Sequence, residues 1–102
     1  MLGESKQASI VTRRGEERFA VSPTIAHREI NGRVLLLLPR DSNLYAFNEP
    51  GRVIWRAVVR KRRTADITAT IAKTFGIPLA RAQRDVRDLL DDLLRRGAIR
   101  RI

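Results

Sequence analysis

The hydrophobic pattern of this chain changes its period once, near Asn48. Before that residue, apolar and polar side chains alternate in short runs, which is typical of strands; after it, apolar residues recur every three or four positions, which is typical of amphipathic helices. A chain of 102 residues can bury one core but hardly two. The switch therefore predicts a single α+β domain in which strands come first and helices then cover one face of the sheet.

Three strands are predicted in the first half of the chain, after a short extended piece at residues 19–21. The turn between the first two falls at Asn31-Gly32, because both residues tolerate positive φ and favour a two-residue hairpin. Alternation in the last strand puts Tyr45 and Phe47 on one face. The strands run from Ile25 to Ile30, Arg33 to Leu38 and Asn43 to Phe47, with a turn at residues 39–42. They form an antiparallel meander whose third strand is an edge.

Three helices are predicted after the strands. Asn48 suits the N-cap of the first, since its side chain can accept a hydrogen bond from a free N–H of the first turn. Thr64 is the predicted N-cap of the second, which ends at Gly76. The third runs from about Leu79 to Gly97 and leaves residues 98–102 as a short terminal extension.

The ends and the composition exclude several classes of protein. Residues 1–17 lack apolar periodicity and predict a mobile tail before a folded domain at 18–102. The longest purely apolar run, Val34 to Leu38, is far shorter than the roughly 20 residues of a bilayer span, and the start does not resemble a signal peptide. With no cysteine and one histidine, His27, disulfides and cysteine or multi-histidine metal sites are not expected. We expect a cytoplasmic protein with no cofactor, metal or membrane partner.

The sequence also lacks a recognisable set of catalytic residues. It has no cysteine nucleophile, no glycine-rich phosphate loop and no Ser/His/Asp set that this element order would bring together. Asp88, Asp91 and Asp92 lie close together on the third helix, but interleaved arginines can neutralise them as a solvated, ion-paired face. We therefore do not expect an enzyme.

The third helix carries an unusually wide apolar stripe. At about 100° per residue its apolar side chains span about 140°, whereas core packing in so small a domain needs roughly 100°. Leu90 and Leu94, flanked by Gln83 and Arg87, are therefore predicted to face a groove; the alternative is that they complete the core. An edge strand beside such a groove has unpaired N–H and C=O groups that can accept a guest peptide as an added strand.

The segment LYAFNEPGRVIW, from Leu44 to Trp55, resembles PqqD-like proteins, in which a strand ends in an apolar residue plus Asn, followed by Gly and then Ile-Trp on the first helix. The resemblance covers roughly residues 19–102. Phe47 stands where the family usually has Leu, and the basic run at 60–63 stands where the family commonly has a short, less charged loop. Further matches are Ile67, Ile71, Phe75, Ile77, Asp85, Val86, Leu89, Leu90, Leu93, Gly97 and Ile99.

This resemblance implies a winged-helix-like RiPP recognition element, a module that binds the leader segment of a ribosomally made peptide precursor between its third strand and third helix. Separate modifying enzymes then act on the precursor. For a free-standing, Arg-rich example it implies the leader peptidase and cyclase of a lasso-peptide pathway; a peptide chaperone of the pyrroloquinoline quinone pathway is the alternative. Carried over by position, the leader-binding residues are Asn43, Leu44, Tyr45, Ala46 and Phe47 on the strand, and Gln83, Val86, Arg87, Leu90 and Leu94 on the helix.

A net charge of +10 also suits a DNA-binding winged helix, the main rival. The third helix argues against it: between Leu79 and Gly97 four aspartates accompany five arginines, and these carboxylates would repel phosphates in a groove. Nucleic acid is therefore not the expected partner. A purely structural subunit is a third possibility. The leader sequence, the final product, the oligomeric state and the role of the basic run at 60–63 stay open.

Overall fold

The structure is a computed structural model that describes residues 15–38 and 43–102. The predicted order, a three-stranded antiparallel sheet followed by three helices, is confirmed. One short strand precedes these elements along the chain and another follows them, and the two form a separate sheet. The elements are β1 (Phe19–Val21), β2 (Ala26–Ile30), β3 (Arg33–Leu38), β4 (Asn43–Ala46), α1 (Glu49–Val59), α2 (Thr64–Phe75), α3 (Leu79–Arg95) and β5 (Ile99–Arg101).

The main sheet has the order β2-β3-β4, so β2 and β4 are its two edges within the described residues. The predicted hairpin is confirmed: Asn31 and Gly32 have φ angles of 51° and 77°, and Ile30 pairs with Arg33. β4 ends at Ala46, one residue before the predicted end of the strand. The predicted turn at 39–42 lies outside the described residues.

The two ends of the domain pair with each other, which the sequence did not predict. The terminal segment forms β5 and pairs antiparallel with β1, from Phe19 opposite Arg101 to Val21 opposite Ile99. The predicted tail, residues 1–17, lies mostly outside the described residues, but Glu17 is part of the fold. Its backbone oxygen accepts a hydrogen bond from the Thr64 backbone N–H at 2.9 Å.

The ends of the helices follow local chemistry at two of the three predicted positions. The Asn48 side chain accepts a hydrogen bond from the Gly51 N–H at 2.9 Å, which confirms it as the N-cap of α1. Gly76 ends α2 in the left-handed region, with φ of 61°. The prediction that Thr64 is the N-cap of α2 was wrong. Thr64 is the first residue inside α2, and its hydroxyl donates a hydrogen bond to the Glu17 backbone oxygen at 2.9 Å.

The core lies between the helices and one face of the main sheet. Val34, Leu36 and Leu38 point from β3 into it and are at most 2% exposed. Trp55 of α1 lies among them and is also 2% exposed. The other sheet face is open to solvent, where Leu44 is 65% exposed. The sheet is therefore covered on one face, as its alternating pattern predicts.

Gly51→Ala should destabilise the fold by about 1–3 kcal/mol, although alanine normally stabilises a helix interior relative to glycine. A Cβ at this position would lie 2.9 Å from the Phe47 ring and 3.0 Å from the capping oxygen of Asn48. Thermal denaturation followed by circular dichroism measures the change. Gly15→Ala is the control, because its Cβ would meet only ordinary contact at 3.5 Å from Ala65. A higher melting temperature for Gly51→Ala would contradict this packing.

Candidate functional site

The register of the sheet determines which backbone groups of β4 are free. A two-residue hairpin makes Ile30 and Arg33 a hydrogen-bonded pair, and the direction of bonding then alternates along β3. Val34 and Leu36 consequently bond to β4 and not to β2. The hydrogen bond from the Phe47 N–H to the Val34 oxygen, at 3.4 Å, agrees with this assignment.

The same alternation continues along β4. Tyr45 is opposite Leu36 and bonds inward to β3. Leu44 and Ala46, opposite Leu37 and Leu35, therefore direct their N–H and C=O groups outward, away from the sheet. Within the described residues no strand pairs with that edge, so four backbone groups are available to another chain.

A groove of about 630 Å³ lies beside these free groups. It is bounded by β4, by the first turn of α1 and by one face of α3. Phe47, Ile54 and Leu89 give it an apolar part, and Asp85 and Asp88 give it an acidic part. Its other lining residues are Tyr45, Ala46, Asn48, Pro50, Gly51, Arg81 and Asp92. An edge strand, an apolar surface and fixed charges thus meet in one place.

Aromatic packing fixes the strand side of the groove. The Tyr45 and Phe47 rings meet edge to face, with centroids 5.1 Å apart. Phe47 in turn stacks on the buried ring of Trp55 at 5.5 Å. Such pairs add stability beyond simple burial and restrict ring movement. The wall formed by Tyr45 and Phe47 is therefore preformed.

Tyr45 also connects the strand to α3. Its hydroxyl donates a hydrogen bond to Asp92 Oδ2 at 3.3 Å, and the Arg96 guanidinium lies 5.2 Å from the centre of its ring. Burial raises the pKa of Tyr45, and the charge of Asp92 raises it further. The phenol consequently stays protonated at neutral pH and remains a donor.

Asp92 forms ion pairs with Arg95, the last residue of α3, and with Arg96, its C-cap, each at 3.0 Å. Burial raises the pKa of Asp92, but the hydrogen bonds from these arginines outweigh it and hold the pKa below its ordinary value of 3.8. The carboxylate is therefore charged at neutral pH, and it lines the groove.

The stabilising contribution of Asp92 should be lost in acid. Because its pKa is lower in the folded state, its contribution is present above the unfolded pKa near 3.8 and is lost as pH falls through the folded pKa. The melting temperature should therefore fall between about pH 5 and pH 3 by less in Asp92→Asn than in the original chain. Asp85→Asn is the control on the same helix face. Equal pH dependence of the original chain and Asp92→Asn would contradict the assignment.

Four of the five sequence-predicted strand residues lie in the edge strand β4, and Phe47 directly follows it. Leu44 and Ala46 provide the free backbone groups, and Tyr45 and Phe47 line the groove. Asn43 begins β4. Leader binding by these residues stays a prediction, since their position alone does not identify a ligand.

The predicted helix residues do not line this groove. Val86 and Leu90 are 0% exposed and belong to the core, so the expectation that Leu90 faces a groove was wrong. Leu94 packs against the core, Gln83 is exposed elsewhere, and Arg87 pairs with Glu17 at 2.9 Å. The groove lies instead along the opposite edge of the apolar stripe, which contains Leu89. The residues that sequence reasoning missed are Arg81, Asp85, Asp88, Leu89 and Asp92.

A missed signal is visible in the sequence. With Ala82 at 0° on the helix, Leu89 falls at about 340°, whereas Leu90 falls at about 80° on the other edge of the stripe. Asp85 and Asp88 extend the Leu89 edge at about 300° and 240°. Asp88 was interpreted, with Asp91 and Asp92, as part of a solvated, ion-paired face. Asp91 and Asp92 do pair with arginines, but Asp88 has no ion-pair partner among the described residues.

Comparison with known proteins identifies the family of this chain. The model of the family described as coenzyme PQQ synthesis protein D (PqqD) matches residues 33–99, about two thirds of the chain. The chain belongs to the PqqD family. That match spans both walls of the groove, from β3 to the end of α3.

A solved structure shares the PqqD fold seen here: TbiB1 in complex with the TbiA(beta) leader peptide. The TM-score is 0.72 at 21% sequence identity, and the alignment covers 78% of this chain and 93% of the other. A search among curated proteins gave no match. In the described part of this PqqD family member, no helix has the length and hydropathy to cross a membrane, and no cluster of three or more His, Cys, Asp or Glu side chains is placed to hold a metal ion.

Proposed function

We propose that this PqqD family member binds the leader segment of a ribosomally synthesised peptide precursor as a strand added to β4, and presents the precursor to separate modifying enzymes. The observation that carries the proposal is the outward backbone of Leu44 and Ala46 beside a preformed groove. Membership of the family supports it, as does the fold shared with a protein whose structure contains a leader peptide.

An added strand would use both kinds of contact that the groove offers. Its backbone would pair with Leu44 and Ala46, which gives affinity with little dependence on sequence. Alternate side chains would point toward α3, where Leu89 offers an apolar contact and Asp88 a free carboxylate. The proposed leader-binding residues on the strand are those predicted from the sequence, Asn43 to Phe47. On the helix they are the residues that line the groove: Arg81, Asp85, Asp88, Leu89 and Asp92.

In this proposal the chain is a cytoplasmic binding module that uses no cofactor, and its partners perform the chemistry. Those partners are a leader peptidase and a cyclase of the lasso-peptide type; a pyrroloquinoline quinone pathway with its radical enzyme is the second candidate. The acidic wall formed by Asp85, Asp88 and Asp92 disfavours a nucleic-acid backbone in the same groove. A mixture of the purified chain with a precursor, without partner enzymes, should leave the precursor intact by mass spectrometry.

The test is binding of a synthetic peptide with the sequence of the leader of the cognate precursor. Leu89→Asp should weaken binding about tenfold, because it removes an apolar contact and adds a charge to the groove. Isothermal titration calorimetry measures the affinity. Leu79→Asp is the matched control, since Leu79 is on the same helix, is 55% exposed and does not line the groove. Equal affinity for both folded variants would contradict the site.

A further inference from the structure

The second edge of the main sheet, β2, is also free. Ile30 and Arg28 bond inward to β3, since they are in register with Arg33 and Leu35. The residues between them, His27 and Glu29, therefore direct their N–H and C=O groups outward. Within the described residues no strand pairs with this edge. β2 thus offers four outward backbone groups at the edge of the sheet opposite β4 and its groove.

A second groove, of about 610 Å³, lies between this edge and α1. Val59 is the exposed aliphatic side chain of its lining; Val34 and Trp55 also line it, but each is only 2% exposed. Val59 is 45% exposed, which is high for an aliphatic side chain beside the core. The His27 ring meets the Trp55 ring edge to face at 5.5 Å and holds the strand against the helix. This groove combines apolar contact with a free strand edge, as the β4 groove does.

The charge of the second groove is opposite to that of the first. Arg28, Arg56 and Arg60 surround it. Glu29 neutralises only Arg56, through hydrogen bonds of 3.1 and 2.6 Å. Arg28 and Arg60 have no carboxylate partner among the described residues. The rest of the basic run, Lys61 to Arg63, follows Arg60 directly. One edge of the sheet therefore faces aspartates and the other faces arginines.

We propose that the β2 edge binds an acidic, extended segment of a partner protein as an added strand. Charge complementarity selects an acidic occupant, and a second copy of this chain, with net charge +10, would be repelled. Outward N–H and C=O groups in alternation select a polypeptide backbone, which a nucleic acid cannot match. The two edges are separate, so an occupant of β4 does not block this site. The proposal does not depend on what β4 binds.

The test uses a fluorescein-labelled peptide of seven residues that alternates Glu and Val, with a Lys and Val peptide as its matched control. Fluorescence anisotropy should show binding of the acidic peptide only, and ¹⁵N NMR should place the shifted amides at His27, Glu29 and α1. Glu29→Pro removes an outward N–H and should weaken binding about tenfold. Glu29→Ala keeps that N–H and releases Arg56, so it should bind equally or more tightly.

Three results would overturn the proposal. The first is no binding of the acidic peptide to the folded chain. The second is shifted amides on β4 and α3, which would place the peptide in the leader groove; loss of binding in Ala46→Pro would show the same. The third is tighter binding of a single-stranded oligonucleotide of equal charge, which would mean that the arginines bind a polyanion without strand pairing. Leader binding is measured separately, so its failure leaves this test intact.

Discussion

Replacing Ala46 by proline should weaken leader binding about tenfold or more and leave the fold intact. The Ala46 N–H points away from the sheet, so proline removes a bond to the guest and none to β3. A lost hydrogen bond within a desolvated pairing, together with the bulk of the ring at the edge, corresponds to about 1.4 kcal/mol or more. Titration calorimetry with the synthetic leader measures the affinity, and circular dichroism checks the fold.

Two further variants control this experiment. Ala46→Ser keeps the N–H and should bind the leader as the original chain does. Tyr45→Pro should damage the sheet itself, because Tyr45 bonds inward to Leu36. If Ala46→Pro stays folded and binds the leader with unchanged affinity, strand addition at β4 is wrong.

Leu90→Asp should unfold the domain or destabilise it by about 3–5 kcal/mol, because it places an unpaired charge in the core. That loss is a large part of the 5–15 kcal/mol that holds a typical domain together. Urea denaturation followed by Trp55 fluorescence measures the free energy of unfolding. Leu89→Asp, one position away on the edge of the groove, should destabilise the fold less, because Leu89 packs against the core but is only partly buried.

This pair of leucines distinguishes the two edges of the stripe on α3. Suppose that Leu90→Asp stays folded and binds the leader weakly, whereas Leu89→Asp binds it normally. The leader would then contact the Leu90 edge of the stripe, as predicted from the sequence. The structure predicts the reverse, because Leu90 is 0% exposed and Leu89 lines the groove.

Local rules predicted most of the fold from the sequence. The Asn31-Gly32 hairpin, the Asn48 cap and the Gly76 stop depend on a few neighbouring residues, and all three are confirmed. The edge position of β4 followed from the order of the meander. Through these features the sequence also predicted the strand wall of the candidate site.

Features that depend on distant residues could not be predicted in the same way. The pairing of β1 with β5 joins segments about 80 residues apart, and their short patterns carry no mark of each other. Thr64 suits an N-cap by type, but Glu17 is close enough in the fold to accept its hydroxyl hydrogen. A helical projection shows the width of the stripe on α3 but not which edge faces β4. Which edge faces β4 depends on how α3 packs against the sheet, and this packing determines that Leu89, and not Leu90, lines the groove.

Amide hydrogen exchange with and without leader tests the central claim most directly. In the free chain the Leu44 and Ala46 amides should exchange fast and the Tyr45 amide slowly, because of these three residues only Tyr45 bonds to β3. Saturating leader should slow exchange at Leu44 and Ala46 and leave His27 and Glu29 unchanged. Bound leader with Leu44 and Ala46 still exchanging fast would contradict strand addition at this edge.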